Sequence, residues 1–282
     1  MEFSGKVALI TGGSRGIGKS LAERFLKEGA QVVIAARSKD ELSRTVKTLE
    51  KMGQIVGISA DVSREEDVKH LIDKALQSLK TIDILVNAAG IQNPIGLFLE
   101  ANTKEWIKNL QINLIGTMLC CKTALPVMME KKKGKIINFS GGGANYPRPN
   151  FSAYAVSKAA IVRFTEILAE ELKEFNIQVN AVSPGIIKTR MIDEILIAGP
   201  EKSGKDYNQV KSKMNGGFDS PELVSELVLF LASDKSNWIT GRVISAIWDP
   251  WKEWKEKGQT ELDKDIYVLR RIDGRNFVKL SK

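Results

Sequence analysis

The sequence predicts an α/β fold in which a doubly wound parallel β-sheet is covered by helices on both faces. Short apolar segments rich in valine and isoleucine recur along the chain, and longer amphipathic segments separate them. Such apolar runs are typical of strands that are buried on both faces of a parallel sheet. A glycine-rich loop joins the first apolar segment to the first amphipathic one. The 282 residues are long enough to bury a full core within one domain of this kind.

The expected elements alternate along the chain. Their apolar, β-branched composition predicts strands near residues 6–11, 31–36, 54–59, 82–86, 135–140, 177–182 and 242–247. Helical periodicity predicts helices near residues 16–28, 39–52, 64–79, 103–131, 151–174 and 220–233. Parallel strands need such crossover connections, so the alternation agrees with the predicted sheet.

The loop between the first strand and the first helix has the spacing Thr-Gly-x-x-x-Gly-x-Gly at residues 11–18. An apolar run at 7–10 precedes it, and a helical pattern that ends before Gly29 follows it. Glycines allow a sharp turn and a close approach of the backbone to a pyrophosphate. The N–H groups at the start of the helix attract the phosphates. The order of strand, glycine loop and helix therefore predicts a dinucleotide-binding site.

Tyr154 and Lys158 are four residues apart in a segment of helical character. Their side chains therefore share one face of the helix, one turn apart. A phenol, whose pKa is about 10, exchanges protons poorly at neutral pH. An ammonium group about 4 Å away stabilises the phenolate by up to about 4 kcal/mol at an effective dielectric constant of about 20. Such a pair is usually a surface pair, but beside a dinucleotide site it indicates an acid–base centre.

Further short motifs accompany these two features. In order along the chain they are Thr-Gly-x-x-x-Gly-x-Gly at 11–18, Asn87-Ala88-Ala89-Gly90, Asn113, Tyr154-x-x-x-Lys158 and Ser183-Pro184-Gly185. The order and spacing resemble the short-chain dehydrogenase/reductase family in its compact, single-domain form, over residues 5 to about 247. The resemblance implies a Rossmann-type, seven-stranded sheet and a nicotinamide cofactor, and it says little about the substrate.

The resemblance also implies which residues hold the cofactor. They are Gly12, Ser14, Arg15, Gly16, Ile17, Gly18, Arg37, Asp61, Val62, Asn87, Ala88, Gly90, Tyr154, Lys158, Pro184, Gly185 and Thr189. An NAD site usually has a carboxylate at the end of the second strand, and here that place falls at Ala36, with Arg37 next. A guanidinium group can pair with a ribose 2′-phosphate through two hydrogen bonds, and Arg15 could close on the same phosphate. We therefore expect NADP(H), with NAD(H) as the alternative.

By the same resemblance, Tyr154 is the acid in carbonyl reduction and the base in alcohol oxidation, and Lys158 lowers its pKa. Asn113 resembles an asparagine that bends a helix and anchors a water molecule. The family usually has a serine thirteen residues before the tyrosine, where this chain has Gly141, one position after Ser140. In an unbroken strand Ser140 would point to the opposite side, whereas a bulge in the following glycines would let it reach inward. Ser140 is thus a catalytic candidate that depends on such a bulge.

Two segments are expected to select the substrate. Residues 190–219 have an apolar first half and a lysine-rich second half, and they are predicted to form a mobile lid. The lysines could be solvated or could bind an anion. Residues 146–151 precede the catalytic tyrosine and resemble the rim of a pocket, where Arg148 is a candidate contact for an anionic substrate.

The chain is expected to form one catalytic domain over residues 1–247, followed by a C-terminal extension over residues 248–282. Three tryptophans recur every third residue over 248–254, but Pro250 excludes a regular helix through all of them. Residues 267–272 are predicted to form a short buried or paired segment. The extension either packs on its own subunit, or forms a lid over the cleft or an arm on a neighbouring subunit.

Composition disfavours several classes of function. The 42 basic residues exceed the 34 acidic ones but are spread along the chain, so no nucleic-acid partner is expected. The most apolar region, residues 106–129, is interrupted by charged and amide side chains, so a buried helix is expected rather than a membrane span. Strand-like sequence begins by Lys6 without a secretion signal, and the adjacent Cys120 and Cys121 suit a reducing cytoplasm. His70 is the only histidine, so no metal site is expected.

These observations predict a cytoplasmic oxidoreductase that transfers hydride between NADP(H) and a secondary alcohol or ketone. The alternative is an NADP(H)-binding protein with weak or no catalysis, because Gly141 stands at the usual serine position. The glycine spacing and the small C-terminal part disfavour a sugar-nucleotide epimerase or dehydratase. A fatty-acid-type ketoacyl reductase shares the motifs, but the long tail argues mildly against it.

By resemblance, the apolar faces of residues 106–125 and 154–171 would form a homodimer or part of a homotetramer.

Overall fold

The computed structural model of the chain describes residues 1–258 and 262–271. Within these residues one parallel sheet has the order β3-β2-β1-β4-β5-β6-β7. Its strands are β1 (Val7–Thr11), β2 (Gln31–Ala36), β3 (Ile55–Ser59), β4 (Ile84–Asn87), β5 (Gly134–Phe139), β6 (Ile177–Ser183) and β7 (Val243–Ser245). The predicted doubly wound, seven-stranded sheet is confirmed, and each predicted strand lies within two residues of its observed bounds.

Helices connect the strands and cover the sheet. They are α1 (Gly16–Lys27), α2 (Lys39–Leu49), α3 (Glu65–Leu79), α4 (Thr103–Leu110), α5 (Gly116–Glu130), α6 (Ser152–Glu171), α7 (Arg190–Ser203), α8 (Lys205–Gly216), α9 (Pro221–Ala232) and α10 (Trp251–Lys257). The single helix predicted near 103–131 comprises α4 and α5, which a π-helical turn at Gln111–Ile115 joins. The helices α7, α8 and α10 were not predicted.

Local sequence explains several helix starts. Ser38, Asn102 and Ser220 accept hydrogen bonds from N–H groups in the first turns of α2, α4 and α9. Such capping contributes about 1 kcal/mol each. In contrast, α1 begins after Arg15, whose side chain makes no capping hydrogen bond to the first turn. The first N–H groups of α1 therefore have no side-chain cap to compete with an external anion.

Both faces of the sheet are apolar, and helices cover each of them. Successive residues of β1 belong to different apolar clusters: Ile10 packs with α1 and α9, and Leu9 packs with α3 and α5. This alternation follows from the two-residue period of a strand. Burying one such side chain contributes about 1.5–3 kcal/mol, so the continuous apolar strands specify a sheet covered on both sides.

The helical stretch 103–130 is long and apolar enough, by length and composition, to cross a membrane, and half of its most apolar window is buried inside the fold. In the second half of this stretch, Cys120, Cys121, Ala124 and Met128 are fully buried in the cluster beneath the sheet. The packing is that of an interior helix of the layered domain.

The described part of the C-terminal extension packs on its own subunit. Trp254 contacts the ring of Trp238 at 6.3 Å and the ring of Tyr267 at 5.1 Å between centroids. The backbone oxygen of Tyr267 accepts a hydrogen bond of 2.8 Å from the N–H of Val243 at the sheet edge. Farther along, Glu166 on α6 accepts from the N–H of Leu269 at 2.6 Å. The predicted segment 267–272 is therefore paired through these residues, and its last residue lies outside the described part.

The chain order places a crevice beside β1. From β1 the chain continues to β2 and β3 on one side, and it then crosses to β4 on the other side. Helices on opposite faces leave a gap at the carboxyl ends of β1 and β4, where ligands bind in sheets of this kind. The paired residues Thr11 and Asn87 mark that point.

Candidate active site

The glycine loop after β1 packs too closely against its neighbours for larger residues. A Cβ atom at Gly12, whose φ is 69°, would lie 2.9 Å from the backbone of Ala89. A Cβ atom at Gly18 would overlap the carbonyl oxygen of Gly12 and lie 2.8 Å from its carbonyl carbon. The loop backbone therefore lies directly against the first turn of α1. This arrangement brings the glycine loop and the first turn of α1 to the edge of the crevice.

A cavity of about 750 Å³ opens at the carboxyl ends of β1, β2, β3 and β4. Its volume lies in the range of cofactor sites, about 300–1,000 Å³. Most of the predicted cofactor residues line it: Gly12, Ser14, Arg15, Gly16, Ile17, Gly18, Arg37, Asp61, Val62, Ala88, Gly90 and Thr189. An elongated ligand with phosphate groups fits a cavity that has a glycine loop and an uncapped helix start in its wall.

Other cavity residues were missed by the sequence analysis. They are Ser38 and Glu41 near the second strand and Lys188, Arg190, Met191 and Glu194 after the sixth. Lys188 and Arg190 flank the predicted Thr189, and this proximity in sequence could have identified them as cavity residues. Glu194 has one buried carboxylate oxygen without a hydrogen-bond partner among the described residues. An unpaired acceptor in this wall fits a ligand that brings hydrogen-bond donors.

The two arginines expected to bind a phosphate differ in their surroundings. Arg37 is exposed at the end of β2, directly after Ala36. The Arg15 Nη1 atom lies 3.4 Å from Glu41 Oε1, and Ser14 Oγ donates to Glu41 Oε2 at 3.3 Å. Glu41 thus already partners Arg15. Exposed pairs of this kind contribute about 0–1 kcal/mol, so a phosphate could replace the carboxylate at little cost.

Asn87 lies behind the wall of the cavity rather than in it. Its side-chain nitrogen donates to Asn138 Oδ1 at 2.9 Å and to Cys121 Sγ at 3.3 Å. Asn87 Oδ1 is buried without a hydrogen-bond partner among the described residues, and the contact of Asn87 with the cofactor stays a prediction. The residues that follow it, from Ala88 to Gly90, line the cavity instead.

The turn at Pro184 and Gly185 fixes the loop that follows β6. Gly185 has a φ of 80°, and a Cβ atom there would lie 2.7 Å from Asp219 Oδ2. The same Asp219 oxygen accepts a hydrogen bond of 2.7 Å from the N–H of Ile186. The turn thereby sets the position of Thr189, which reaches the glycine loop near Gly16.

Tyr154 and Lys158 share one face of α6 and are both buried. Lys158 Nζ lies 5.6 Å from the centre of the Tyr154 ring and donates to the Phe139 carbonyl at 2.8 Å. A Cβ atom on Gly90 would lie 3.8 Å from the same Nζ atom. The lysine therefore adjoins the end of the cavity that Gly90 lines.

Burial dominates the electrostatics of this pair. It raises the pKa of Tyr154 above its ordinary value, although the Arg148 guanidinium opposes this rise and nearby Tyr146 adds to it. Burial lowers the pKa of Lys158 to about 8. The pKa of Tyr154 is thus raised overall, because loss of solvation outweighs the Arg148 guanidinium. A lowering of this pKa by Lys158 stays a prediction.

Asn113 sits in the π-helical turn between α4 and α5, fully buried. Its oxygen accepts from the N–H of Ile91 at 2.9 Å, and its nitrogen donates to the Ile91 carbonyl at 2.8 Å. The nitrogen also lies 2.9 Å from Asn109 Oδ1 and 3.0 Å from Ser157 Oγ. The side chain thus ties the loop after β4 to α6, and a π-helical turn interrupts the α-helix at this residue.

The segment after β5 decides which hydroxyls adjoin Tyr154. The N–H of Ser140 donates to the Val182 carbonyl at 2.9 Å, which continues the pairing of β5 with β6. A Cβ atom on the next residue, Gly141, would overlap the Tyr154 hydroxyl and lie 3.0 Å from Tyr154 Cζ. The backbone pairing with β6 therefore extends one residue past the end of β5, through the N–H of Ser140.

Helices α7 and α8 cover the tyrosine. Ile192, Ile195 and Val210 pack with Phe151 and Tyr154 in one buried cluster. The region predicted to be a lid is therefore two helices whose apolar side faces Tyr154. Arg148 stacks over the Phe151 ring at 3.8 Å, and its Nη2 atom lies 2.6 Å from Asp206 Oδ1 on α8. The candidate anion contact is therefore already neutralised by Asp206.

Comparison with known proteins agrees with this architecture. The family model for short chain dehydrogenases matches residues 6–197. The 3-oxoacyl-[acyl-carrier-protein] reductase of Thermotoga maritima is 36% identical over 245 residues, which are 86% of this chain and 97% of that protein. NAD+-bound xylitol dehydrogenase superposes with a TM-score of 0.81 at 27% identity, covering 87% of this chain and 98% of the other. A point variant of actinorhodin polyketide ketoreductase with NADPH gives 0.79 at 27% identity, covering 85% and 95%.

Proposed function

The chain belongs to the short-chain dehydrogenase family, and from that premise we propose a specific reaction for this oxidoreductase. It transfers hydride between NADP(H) and a secondary alcohol or ketone, with Tyr154 as the acid–base group. One observation carries the proposal: Tyr154 and Lys158 are buried side by side on α6, and Lys158 adjoins Gly90 at the end of the cavity of about 750 Å³.

Each part of the cavity suits one part of the dinucleotide. The loop at Gly12–Gly18 and the uncapped start of α1 would hold the phosphates. Asp61, whose Oδ1 atom is oriented by the Ser63 N–H at 3.0 Å, would contact the adenine, and Thr189 would contact the nicotinamide carboxamide. Bound nicotinamide supplies or accepts the hydride.

The residues of α6 handle the proton. In reduction, the Tyr154 hydroxyl gives its proton to the carbonyl oxygen, and in oxidation the phenolate takes a proton from the alcohol. Because burial raises the pKa of Tyr154, the phenolate needs a nearby positive charge. Lys158 supplies it, and the 2.8 Å hydrogen bond to the Phe139 carbonyl holds its ammonium group in place.

The charges near the second strand favour NADP(H) over NAD(H). Ala36 stands where a carboxylate would grip the ribose hydroxyls, and Arg37 follows it, exposed at the cavity. Arg15 could join it by exchanging Glu41 for the phosphate. The relatives by themselves leave the choice open, since one solved structure contains NAD+ and another contains NADPH.

Substituting Arg37→Asp should reverse the cofactor preference. The change removes a charged hydrogen bond to the 2′-phosphate, worth about 1.5–3 kcal/mol, and adds a repelling carboxylate. We expect the ratio of kcat/KM for NADPH to kcat/KM for NADH to fall by about tenfold to a hundredfold. Arg44→Asp, on the exposed side of α2, is the matched control because Arg44 does not line the cavity. An unchanged ratio in the Arg37 variant would rule out this reading of cofactor choice.

The main competing function is an NADP(H)-binding protein with little catalysis, and Gly141 is the observation that favours it. Following NADPH absorbance with a panel of ketones, including diacetyl, levodione and short 3-oxoesters, separates the two. Substrate-dependent consumption supports the enzyme. Tight NADPH binding without turnover across the whole panel would refute it.

The rate of carbonyl reduction should fall as pH rises through the pKa of Lys158. That pKa is lowered to about 8 by burial, so the ammonium form is present below pH 8 and is lost above it. Tyr154, whose pKa is raised, stays protonated over the same range. We expect kcat to be flat near pH 7 and to decline with a slope of about one log unit per pH unit above 8. Unfolding curves at each pH serve as the control, and a constant kcat far above pH 8 would contradict the assignment.

We further propose a homodimer, or a tetramer, through the outer faces of α4–α5 and α6. Ile107, Ile115, Val156 and Ile167 are apolar and exposed on these helices. A monomeric mass in sedimentation would exclude this.

The substrate is proposed to be a small carbonyl compound or alcohol in the cytoplasm, and an anionic group on it would have to displace Asp206 from Arg148.

A further inference from the structure

The reaction proposed above needs a second hydrogen-bond donor beside Tyr154, and Gly141 cannot supply one from a side chain. A Cβ atom built on Gly141 would overlap the Tyr154 hydroxyl and lie 3.0 Å from Tyr154 Cζ. The tyrosine hydroxyl thus occupies the space that a side chain at position 141 would need. A serine introduced there would have to displace the catalytic phenol itself.

Ser140 is badly placed to take over. Its N–H continues the β5–β6 pairing through the 2.9 Å bond to Val182. If the alternation of β5 is continued one residue past Phe139, it directs the Ser140 hydroxyl away from the side on which Tyr154 meets Gly141. Ser140 is only 3% exposed, so little of it remains accessible to a substrate.

The turn after Gly141 brings the hydroxyl of Tyr146 close to the next residue, Gly142. The N–H of Ala144 donates to the Gly141 carbonyl at 3.2 Å, and Gly143 has a φ of 89°, with its Cβ position 2.8 Å from Ala155 Cβ and 2.9 Å from Arg148 Cβ. The turn is therefore folded tightly onto the start of α6. As a result, a Cβ atom on Gly142 would lie only 3.3 Å from the hydroxyl oxygen of Tyr146.

Tyr146 is available to a ligand. The residue is 61% exposed, unusually high for a large aromatic side chain. In the part of the chain that the structure describes, its hydroxyl makes no hydrogen bond. The hydroxyls of Tyr154 and Tyr146 thus face the Cβ positions of two adjacent glycines, Gly141 and Gly142.

We propose that the Tyr146 hydroxyl donates the second hydrogen bond to the substrate oxygen, in place of a serine at position 141. This role rests on the proposed function. Tyr154 transfers the proton, whereas Tyr146 keeps its own and stabilises the negative charge that develops on the oxygen. Two phenol donors therefore flank the substrate oxygen, one buried on α6 and one on the exposed turn.

Tyr146→Phe tests the role, because it removes one oxygen atom from an exposed side chain and leaves the fold intact. With NADPH and diacetyl, or the best ketone of the panel, we expect kcat to fall by about 10²-fold. The dissociation constant for NADPH, measured by fluorescence titration, should stay within twofold of wild type. Tyr267→Phe, the same chemical change in the C-terminal extension, is the matched control and should retain wild-type kcat.

A second variant acts on the position of the phenol rather than on its oxygen. Gly142→Ala places a methyl group 3.3 Å from the Tyr146 hydroxyl, and should also lower kcat, whereas it should have little further effect in the Tyr146→Phe background. Independent losses in the double variant would overturn the proposal.

The outcomes separate the two levels of inference. Three results would overturn the donor role and leave the proposed reaction standing. They are a wild-type kcat in Tyr146→Phe, a lower kcat in Tyr146→Phe that comes with weakened NADPH binding, and a lower kcat in Ser140→Ala but not in Tyr146→Phe. A wild-type protein that binds NADPH but reduces no ketone of the panel would refute the reaction, and the donor role with it.

Discussion

Tyr154→Phe should lower kcat for carbonyl reduction by about 10³-fold or more while NADPH still binds. A positioned proton donor contributes about 10²–10⁴-fold, and the residue lies in a buried place where water is a poor substitute. The phenyl ring would keep its packing with Phe151, Ile192 and Ile195, so the folded structure should persist. Stopped-flow or steady-state kinetics with NADPH and the best ketone measure the loss.

Tyr267→Phe is again the matched control. The ring of Tyr267 packs against Trp254 in the C-terminal extension, more than a hundred residues after Tyr154 in the sequence. A thermal midpoint close to wild type in both variants would separate lost chemistry from lost folding. If Tyr154→Phe kept kcat within tenfold of wild type, Tyr154 would not be the proton donor, and the acid–base assignment built on α6 would be wrong.

The parts of this site that the sequence predicted depend on local spacing. A helix period of 3.6 residues places Tyr154 and Lys158 on one face, and a glycine loop between strand and helix requires backbone freedom at Gly12. The apolar strands specified the sheet because each must be covered on both faces. These relations involve residues close together in the chain, so they are visible without a structure.

What the sequence could not predict depends on contacts between distant residues. The pairing of Arg148 with Asp206 joins positions 58 residues apart, and it turned an expected anion contact into a neutralised one. Glycine and proline residues, which usually break helices, concealed α7 and α8 in the sequence. Gly199, with a φ of 76°, and Pro200 interrupt α7, and Gly204 separates the two helices. The packing of the extension through Leu269 on Glu166 likewise spans 103 residues.

The pKa values were the other unpredicted quantity. Spacing alone gave a lysine that lowers the pKa of Tyr154, but spacing carries no information on burial. In the folded chain α7 and α8 enclose the phenol, and desolvation raises its pKa instead. The pKa of Tyr154 therefore depends on the packing of these two helices as well as on its neighbours in α6.

Gly18→Ala should have a comparably large effect, on cofactor binding rather than on proton transfer. The added Cβ atom would overlap the Gly12 carbonyl oxygen and lie 2.8 Å from its carbon. Both are backbone atoms of the loop, so the strain cannot be relieved by a rotamer change. Overpacking of this kind costs about 1–3 kcal/mol. Moving the loop away from α1 also separates the N–H groups that together bind the phosphates.

We expect the NADPH dissociation constant to rise by at least about a hundredfold in this variant, since several charge-assisted hydrogen bonds of about 1.5–3 kcal/mol each are weakened together. Gly216→Ala, at the end of α8 with no described atom within 4 Å of the added Cβ, makes the same substitution without the overlap and should bind NADPH normally. Fluorescence titration measures the affinity, and thermal unfolding reports the strain. An affinity within twofold of wild type in Gly18→Ala would mean that the glycine loop does not hold the phosphates, because no rearrangement of the loop could accommodate the methyl group and keep the same N–H positions.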